Sequence, residues 1–403
     1  MPGVRPNLIL LLPIIILSIL PVAIPMDTRV DPSSQKISAL YGRAPSSPYT
    51  FALEDPRISV LTSLPYLSYA TPYSDLEYGR RLARIYLPRT YNAFLEKTDL
   101  IALEDIDSAI FTPEKISWFR RAVIEEGLGL VMGGGSQGFG GNDPFNNWCE
   151  TGLNDIIPVE CYRERLSKDY LVKFRVLEPQ NELAKSLPWE EAPLYYPPNL
   201  ITPRQGCTVI IESDDREKTP IYFYWDVGEG RFLGVQNLKG VFGQNFEDWI
   251  YFIDSVINAY YYTVSFPIPK DLLSVHELRR KWHETNIQKK LLIGMIDFAD
   301  KFGANTGQVE EGMEEVEYIQ ETSNALYLEQ EYLEALQQLD LAISRVFELE
   351  ELAVELKDRA LFWIYMIEWF TVFGVAMISG TALWTIMVRR RLYRETRTTS
   401  FRL

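Results

Sequence analysis

The residues of this sequence able to do chemistry fall into a few small groups. One is a glycine turn, Gly133-Gly134-Gly135-Ser136-Gln137-Gly138, which ends the apolar run Gly129–Met132. Glycine lets a backbone turn sharply and approach a ligand closely, so Gly133, Gly134, Gly135, Ser136 and Gln137 are candidate ligand-binding residues. Asp105 ends a second apolar run, Leu100–Glu104, and is the candidate carboxylate to go with them. Asp99, Glu104, Asp105 and Asp107 bracket that run as either a cation-binding set or solvated acids. Cysteine is scarce. Cys149 and Cys161 are a candidate disulfide or two half-buried thiols, and Cys207 opens the strand-like CTVIIE as a small core residue. Histidine is scarcer still, at His276 and His283 alone.

That last count excludes much. Histidine is the usual proton carrier at neutral pH, and none occurs from Met1 to Val275. Ser136 as a nucleophile would therefore lack its base. Gly133-x-Gly135-x-x-Gly138 matches the dinucleotide fingerprint formally, but Asn142-Asp143-Pro144 reads as a turn where a helix should open, and no Gly-Lys-Ser/Thr forms a P-loop. The oxygen-rich loop Asp143, Asn146, Asn147, Glu150, Asn154, Asp155 lacks EF-hand spacing. His276 and His283 lie two helical turns apart, about 10 Å, too far to share one ion. Neither a metal nor a cofactor is expected. Acids outnumber bases by 55 to 40, a net charge of −15, which argues against a nucleic-acid partner.

The elements that would position these groups alternate. RISVLTSL (57–64) and DLIALED (99–105) read as strands, and Tyr91–Glu96 as a helical turn. Thr112-Pro113-Glu114 is an N-cap followed by proline at the first helical position; the helix continues to a stop at Gly127, and GLVMGGG then forms a strand entering the glycine turn. Strand–helix alternation predicts an α/β fold with a mostly parallel sheet. After Tyr170 strands dominate. They include LVKFRVLEP, CTVIIE, and a hairpin of IYFYWD with RFLGVQ about Gly228-Glu229-Gly230, before a closing helix from Asn245 to Tyr262.

The segment DLIALEDIDSAIFTPEKISWFRRAVIEEGLGLVMGGGSQGFGG resembles the class I glutamine-amidotransferase-like family, in particular its membrane-associated branch; WDVGEGRFLGVQ and NFEDWIYF resemble that branch too. The resemblance covers roughly Arg57–Tyr262 and implies a flavodoxin-like, class I amidotransferase-like domain. It also implies a catalytic cysteine on a sharp strand-to-helix turn, expected near Gly133–Gly135, with a histidine and an acid. This sequence has neither the cysteine nor the histidine there.

The ends of the chain place it at a membrane. Asn7–Pro25 is an apolar run behind Arg5, read as a signal peptide or an uncleaved anchor (1–26). Residues 27–56, rich in Ser and Pro, read as a linker or extended arm, and 57–265 as the α/β domain. Leu361–Val388 exceeds the ~20 residues that cross a bilayer; Trp363, Tyr365 and Trp369 mark one interface, and Arg389, Arg390, Arg391, Arg394 and Arg397 follow. The positive-inside rule then predicts a single-pass cell-membrane protein whose ectodomain is outside and whose basic tail (389–403) is cytoplasmic. Glu368 is a candidate contact within the span, or a group reaching the interface.

Between domain and span, 270–360 is helical and acidic, with thirteen Glu and one Asp against Arg345 between Glu310 and Glu355. The stripe Leu336, Leu339, Ile343, Val346, Leu349, Ala353, Leu356, Ala360 predicts a packed helix. Its natural partner is His276–Phe302, in an antiparallel hairpin or stalk turning near Gly303–Gly312; the alternative is a solvated spacer. The expectation is a non-catalytic ligand- or partner-binding scaffold. The alternatives are a hydrolase using Ser136 or an Asp105-bound cation, and a structural subunit of a membrane complex with protein partners along 270–360 and the span.

Overall fold

The computed structural model describes residues 37–43, 55–65, 76–141, 147–165, 171–236, 246, 249–301 and 303–399. The N-terminal apolar run, Asp143 and Asn146 of the oxygen-rich loop, and Asn245 lie outside these residues.

The strands are β1 (Ile37–Arg43), β2 (Ile58–Pro65), β3 (Leu100–Glu104), β4 (Gly129–Gly133), β5 (Val159–Arg165), β6 (Phe174–Val176), β7 (Asn199–Pro203), β8 (Thr208–Ser213), β9 (Pro220–Val227) and β10 (Gly230–Val235). Eight of them form one sheet in the order β2-β1-β3-β4-β10-β9-β8-β6, while β5 and β7 pair separately. The pairs from β2 through β10 are parallel, and those from β10 through β6 antiparallel. Every residue of β3 and β4 is buried, as central parallel strands covered on both faces require. Alternation divides them between two cores: Leu100 and Ala102 face one, Ile101 and Leu103 the other.

Helices α1 (Leu76–Tyr86), α2 (Tyr91–Leu95) and α3 (Pro113–Glu126) supply the second core, and α4 (Glu182–Lys185) and α5 (Phe252–Thr263) the first. Local chemistry sets the limits of α3. The Thr112 hydroxyl accepts from the Lys115 N–H, proline takes the first position, and Gly127 ends the helix at φ +78°. The β9–β10 hairpin turns at Gly228-Glu229.

Three elements differ from the sequence reading. The supposed linker 27–56 contains β1, which lies inside the sheet between β2 and β3. Its residues, ISALYGR, are set in a Ser- and Pro-rich stretch and carry no sustained apolar run. The closing helix begins at Phe252 rather than near residue 245. The acidic region is a three-helix bundle, not a hairpin: α6 (Leu272–Lys301), α7 (Gly307–Leu328) and the first part of α8 (Tyr332–Thr399) share a core that includes Trp282, Val316, Leu339 and Val346. Gly312 belongs to no turn. It lies within α7 where a Cβ would come 2.4 Å from a Leu349 methyl, so glycine allows α7 and α8 to approach closely. The helix α8 continues unbroken through Leu361–Val388. Among the described residues it is the one helix long and apolar enough to cross a membrane.

Candidate functional site: the turns after strands β3 and β4

β3 and β4 run in register, Glu104 opposite Gly133, so the turns that follow them meet. Asp105 leaves β3 with a left-handed backbone, φ +50°, a conformation that costs a non-glycine residue energy. Asp105 thus makes a strained turn of its own beside the glycine turn. Its carboxylate accepts from the Gln137 N–H at 2.6 Å, and its carbonyl from the Gln137 side-chain amide at 3.2 Å. Gly135, at φ +143°, leaves room for it, since a Cβ there would come 2.4 Å from the Asp105 carboxyl carbon.

The opposite side of the glycine turn is held by two amides. Asn199, opening β7, accepts from the Gly135 N–H at 2.8 Å and donates to the Gly135 carbonyl at 2.9 Å. Gln236, following β10, fixes Asn199 by a reciprocal pair with its backbone at 3.0 and 2.9 Å. The Gly134 N–H donates to the Val235 carbonyl at 2.8 Å. Trp148 closes the arrangement by donating to the carbonyls of Ile106 and Gln137. Gln137, Asn199 and Gln236 are all buried. The six predicted residues Gly133–Gln137 and Asp105 do come together, but several of their polar groups bond to the protein itself. The N–H groups of Gly134, Gly135 and Gln137, which a phosphate would need, already serve a carbonyl, an amide and a carboxylate.

The neighbouring acids are similarly engaged. Tyr260 donates to Glu104. The Ser38 N–H donates to Asp99, whose carboxyl is raised above its ordinary range chiefly by burial, with that bond opposing. Asp107 caps a short 3₁₀ turn through the Ala109 N–H. Asp155 of the oxygen-rich loop forms a two-pronged pair with Arg120, which holds its carboxyl below the usual range. Among the described residues no group of three or more His, Cys, Asp or Glu could hold a metal ion. Cys149 and Cys161 are joined in a disulfide, beside Trp148. Burial pushes the Cys207 thiol up to about 12.

His276, on α6, bonds through Nδ1 to Asp254 of α5 at 2.7 Å and packs on Tyr251. His283 follows Trp282 of the bundle core. Asp254 belongs to a buried network that sequence reasoning missed. Arg279 of α6, 1% exposed, donates to Asp254 at 2.8 Å, to Asn258 at 3.0 Å and to Asp55, just before β2, at 3.0 Å. Tyr261 of α5 and Tyr327 of α7 each donate to Asp55 at 2.7 Å. Burial works to lower the guanidinium pKa, but Tyr327, Asp55 and Asp254 together outweigh it and hold it above the usual arginine value. Two sequence signals pointed here: Asp254 inside the apolar WIYFIDSVINAYYY, and Arg279 between the core residues Val275 and Trp282. Glu368 is exposed on α8.

No family model matches the chain, and no curated protein matches it. Solved structures similar to it include two cytoplasmic proteins of Salmonella typhimurium. One has a TM-score of 0.44 and 16% identity over 54% of this chain and 87% of its own. The other has a TM-score of 0.38 and 17% identity over 53% and 86%. An exo-β-1,4-mannosidase of an Opitutaceae bacterium is similar over 53% of this chain but 29% of its own, with a TM-score of 0.25 and 12% identity. Scores this low carry no argument about activity.

Proposed function

We propose that this protein is a membrane-anchored, non-catalytic module that binds a ligand or protein partner, built on a flavodoxin-like, class I amidotransferase-like domain. The observation that carries this reading is the strained turn after β3. Near Gly133–Gly135, where such chemistry would need a cysteine, there are glycines, and the strained turn beside them carries Asp105, its carboxylate bonded to the Gln137 N–H, while His276 is bonded to Asp254. The strand order β2-β1-β3-β4-β10 supports the flavodoxin-like assignment, which has the order 2-1-3-4-5.

The bundle is the stalk. Tyr332–Ala360 extends about 43 Å at 1.5 Å per residue, which would hold the domain well clear of the bilayer. Leu361–Val388 then crosses it, and Arg389, Arg390 and Arg391 favour a cytoplasmic C-terminus. The disulfide between Cys149 and Cys161 supports an ectodomain on the oxidising side.

The test is turnover by the full chain in lipid nanodiscs, with glutamine and ester substrates, with and without divalent ions. The expected result is no product above that from empty nanodiscs. Turnover abolished by Ser136→Ala would overturn the proposal. A second reading follows from the strained φ of Asp105: a hydrolase that works through this carboxylate. It predicts turnover that survives Ser136→Ala and is lost in Asp105→Asn.

A further inference from the structure

The surface between α1 and the start of α3 holds a groove with a cavity of about 360 Å³, within the size range of small-molecule sites. Its floor is apolar: Ala83 and Leu87 from α1, and Ile110 and Phe111 from the loop after β3, none more than 5% exposed. Its rim is basic. Arg80 is held in place by the Ala109 carbonyl at 3.0 Å and by Glu77 at 2.9 Å. Lys115 points its ammonium at the Pro88 carbonyl, 2.6 Å away, and lies over the Trp118 ring. Arg84, one turn beyond Arg80 on the same face of α1, is exposed and has no carboxylate partner among the described residues.

We propose that this groove binds a small monoanionic carboxylate with an apolar body, the body on Ala83, Leu87, Ile110 and Phe111 and the carboxylate at Arg84 beside Arg80.

Three observations favour that class. The protein as a whole carries −15, so a groove lined by Arg80, Arg84 and Lys115 against Glu77, with Glu114 beside Lys115, runs opposite to the general surface. Of the three cations, Arg80 already pairs with Glu77 and Lys115 donates to a carbonyl, which leaves Arg84 as the guanidinium with no carboxylate partner among the described residues. A doubly charged phosphate would set its second charge against Glu77. The apolar floor, finally, gives a hydrocarbon or aromatic body somewhere to bury, whereas a small inorganic anion would leave it wet. The groove lining includes none of Asp105, Gln137, Asn199 or Gln236, so the site stands or falls independently of the non-catalytic reading.

The experiment is saturation-transfer NMR on the full chain in nanodiscs, with 3-phenylpropionate as the probe and empty nanodiscs as the blank. Its neutral analogue 3-phenylpropanamide and inorganic phosphate are run in parallel. The expected result is saturable binding of the acid, weakened at least about fivefold by Arg84→Glu and by raising ionic strength from about 0.01 to about 0.15 M, with the amide far weaker. Arg84 is exposed and has no carboxylate partner among the described residues, so this variant should fold as the wild type does, and an unchanged far-UV spectrum checks it. Arg80→Gln should weaken binding less. Absence of saturable binding, equal affinity for acid and amide, or indifference to Arg84→Glu would overturn the proposal. So would phosphate competing as well as the acid, or a pentapeptide with a C-terminal Phe carboxylate binding tighter than the free acid; the first would indicate an oxyanion site and the second a peptide site.

Discussion

The glycine turn and the α5–α6 junction both bury polar groups, but they do so with different chemistry. At the turn the partners are amides, backbone groups and one carboxylate, close together in space: Asp105 with Gln137, Asn199 with Gly135, Gln236 with Asn199. At the junction one buried guanidinium sits between two buried carboxylates contributed by different elements, with hydroxyls from α5 and α7. Hydrogen bonds that are mostly neutral close a turn at modest cost if one is lost. Buried charges are tolerated only as a complete set, so deleting one strands the rest. The turn is therefore a locally closed shape, while the junction makes the helical bundle and the α/β domain depend on each other.

Breaking each region in turn should expose that difference. Arg279→Met leaves Asp55 and Asp254 without their cation and should cost about 3–5 kcal/mol of stability, read from denaturant titrations of the full chain in detergent. A loss below about 1 kcal/mol would mean that the network does not hold the junction. Cys149→Ser opens the disulfide that fastens the segment carrying Trp148, and should cost about 3 kcal/mol in the same titration under non-reducing conditions. Asn199→Ala deletes the amide that spans the glycine turn and should cost about 1–3 kcal/mol, less than Arg279→Met.

The smallest effect concerns Cys207. Burial raises its thiol pKa from 9.0 to about 12, so the folded protein favours the protonated form. The associated stability is fully present below pH 9.0 and is lost as pH climbs toward about 12. Iodoacetamide at about pH 8 should leave Cys207 unmodified in the folded chain and label it after denaturation, because the thiolate is the reactive form. Ready labelling of the folded chain at that pH would contradict the assigned environment.

The parts of this molecule readable from sequence are those where local chemistry sets the outcome. Thr112-Pro113 and Gly127 bound α3 because capping is a matter of a few adjacent residues. Gly228-Glu229-Gly230 gives its hairpin for the same reason, and β3 is apolar from Leu100 to Leu103 because it is covered on both faces. What escaped depends on distant pairing. The strand β1 lies in a Ser- and Pro-rich stretch, and its place in the sheet is set by β2 and β3, not by its own pattern. Gly312 looks like a turn residue until Leu349 lies across from it. In the candidate site the glycines and Asp105 were visible, but Asn199 and Gln236 were not. An isolated amide carries no sign of which backbone it will reach, and here Asn199 reaches Gly135, 64 residues away.

The central claim is that the turn after β4 spends its backbone donors on the protein's own acceptors. Amide hydrogen exchange on the full chain in nanodiscs, read by mass spectrometry over peptides spanning residues 133–141, tests it directly. Slow exchange at Gly135 and Gln137 is expected, with Gly135 released by Asn199→Ala and Gln137 by Asp105→Ala. Exchange at open-loop rates in the unaltered protein would contradict the account.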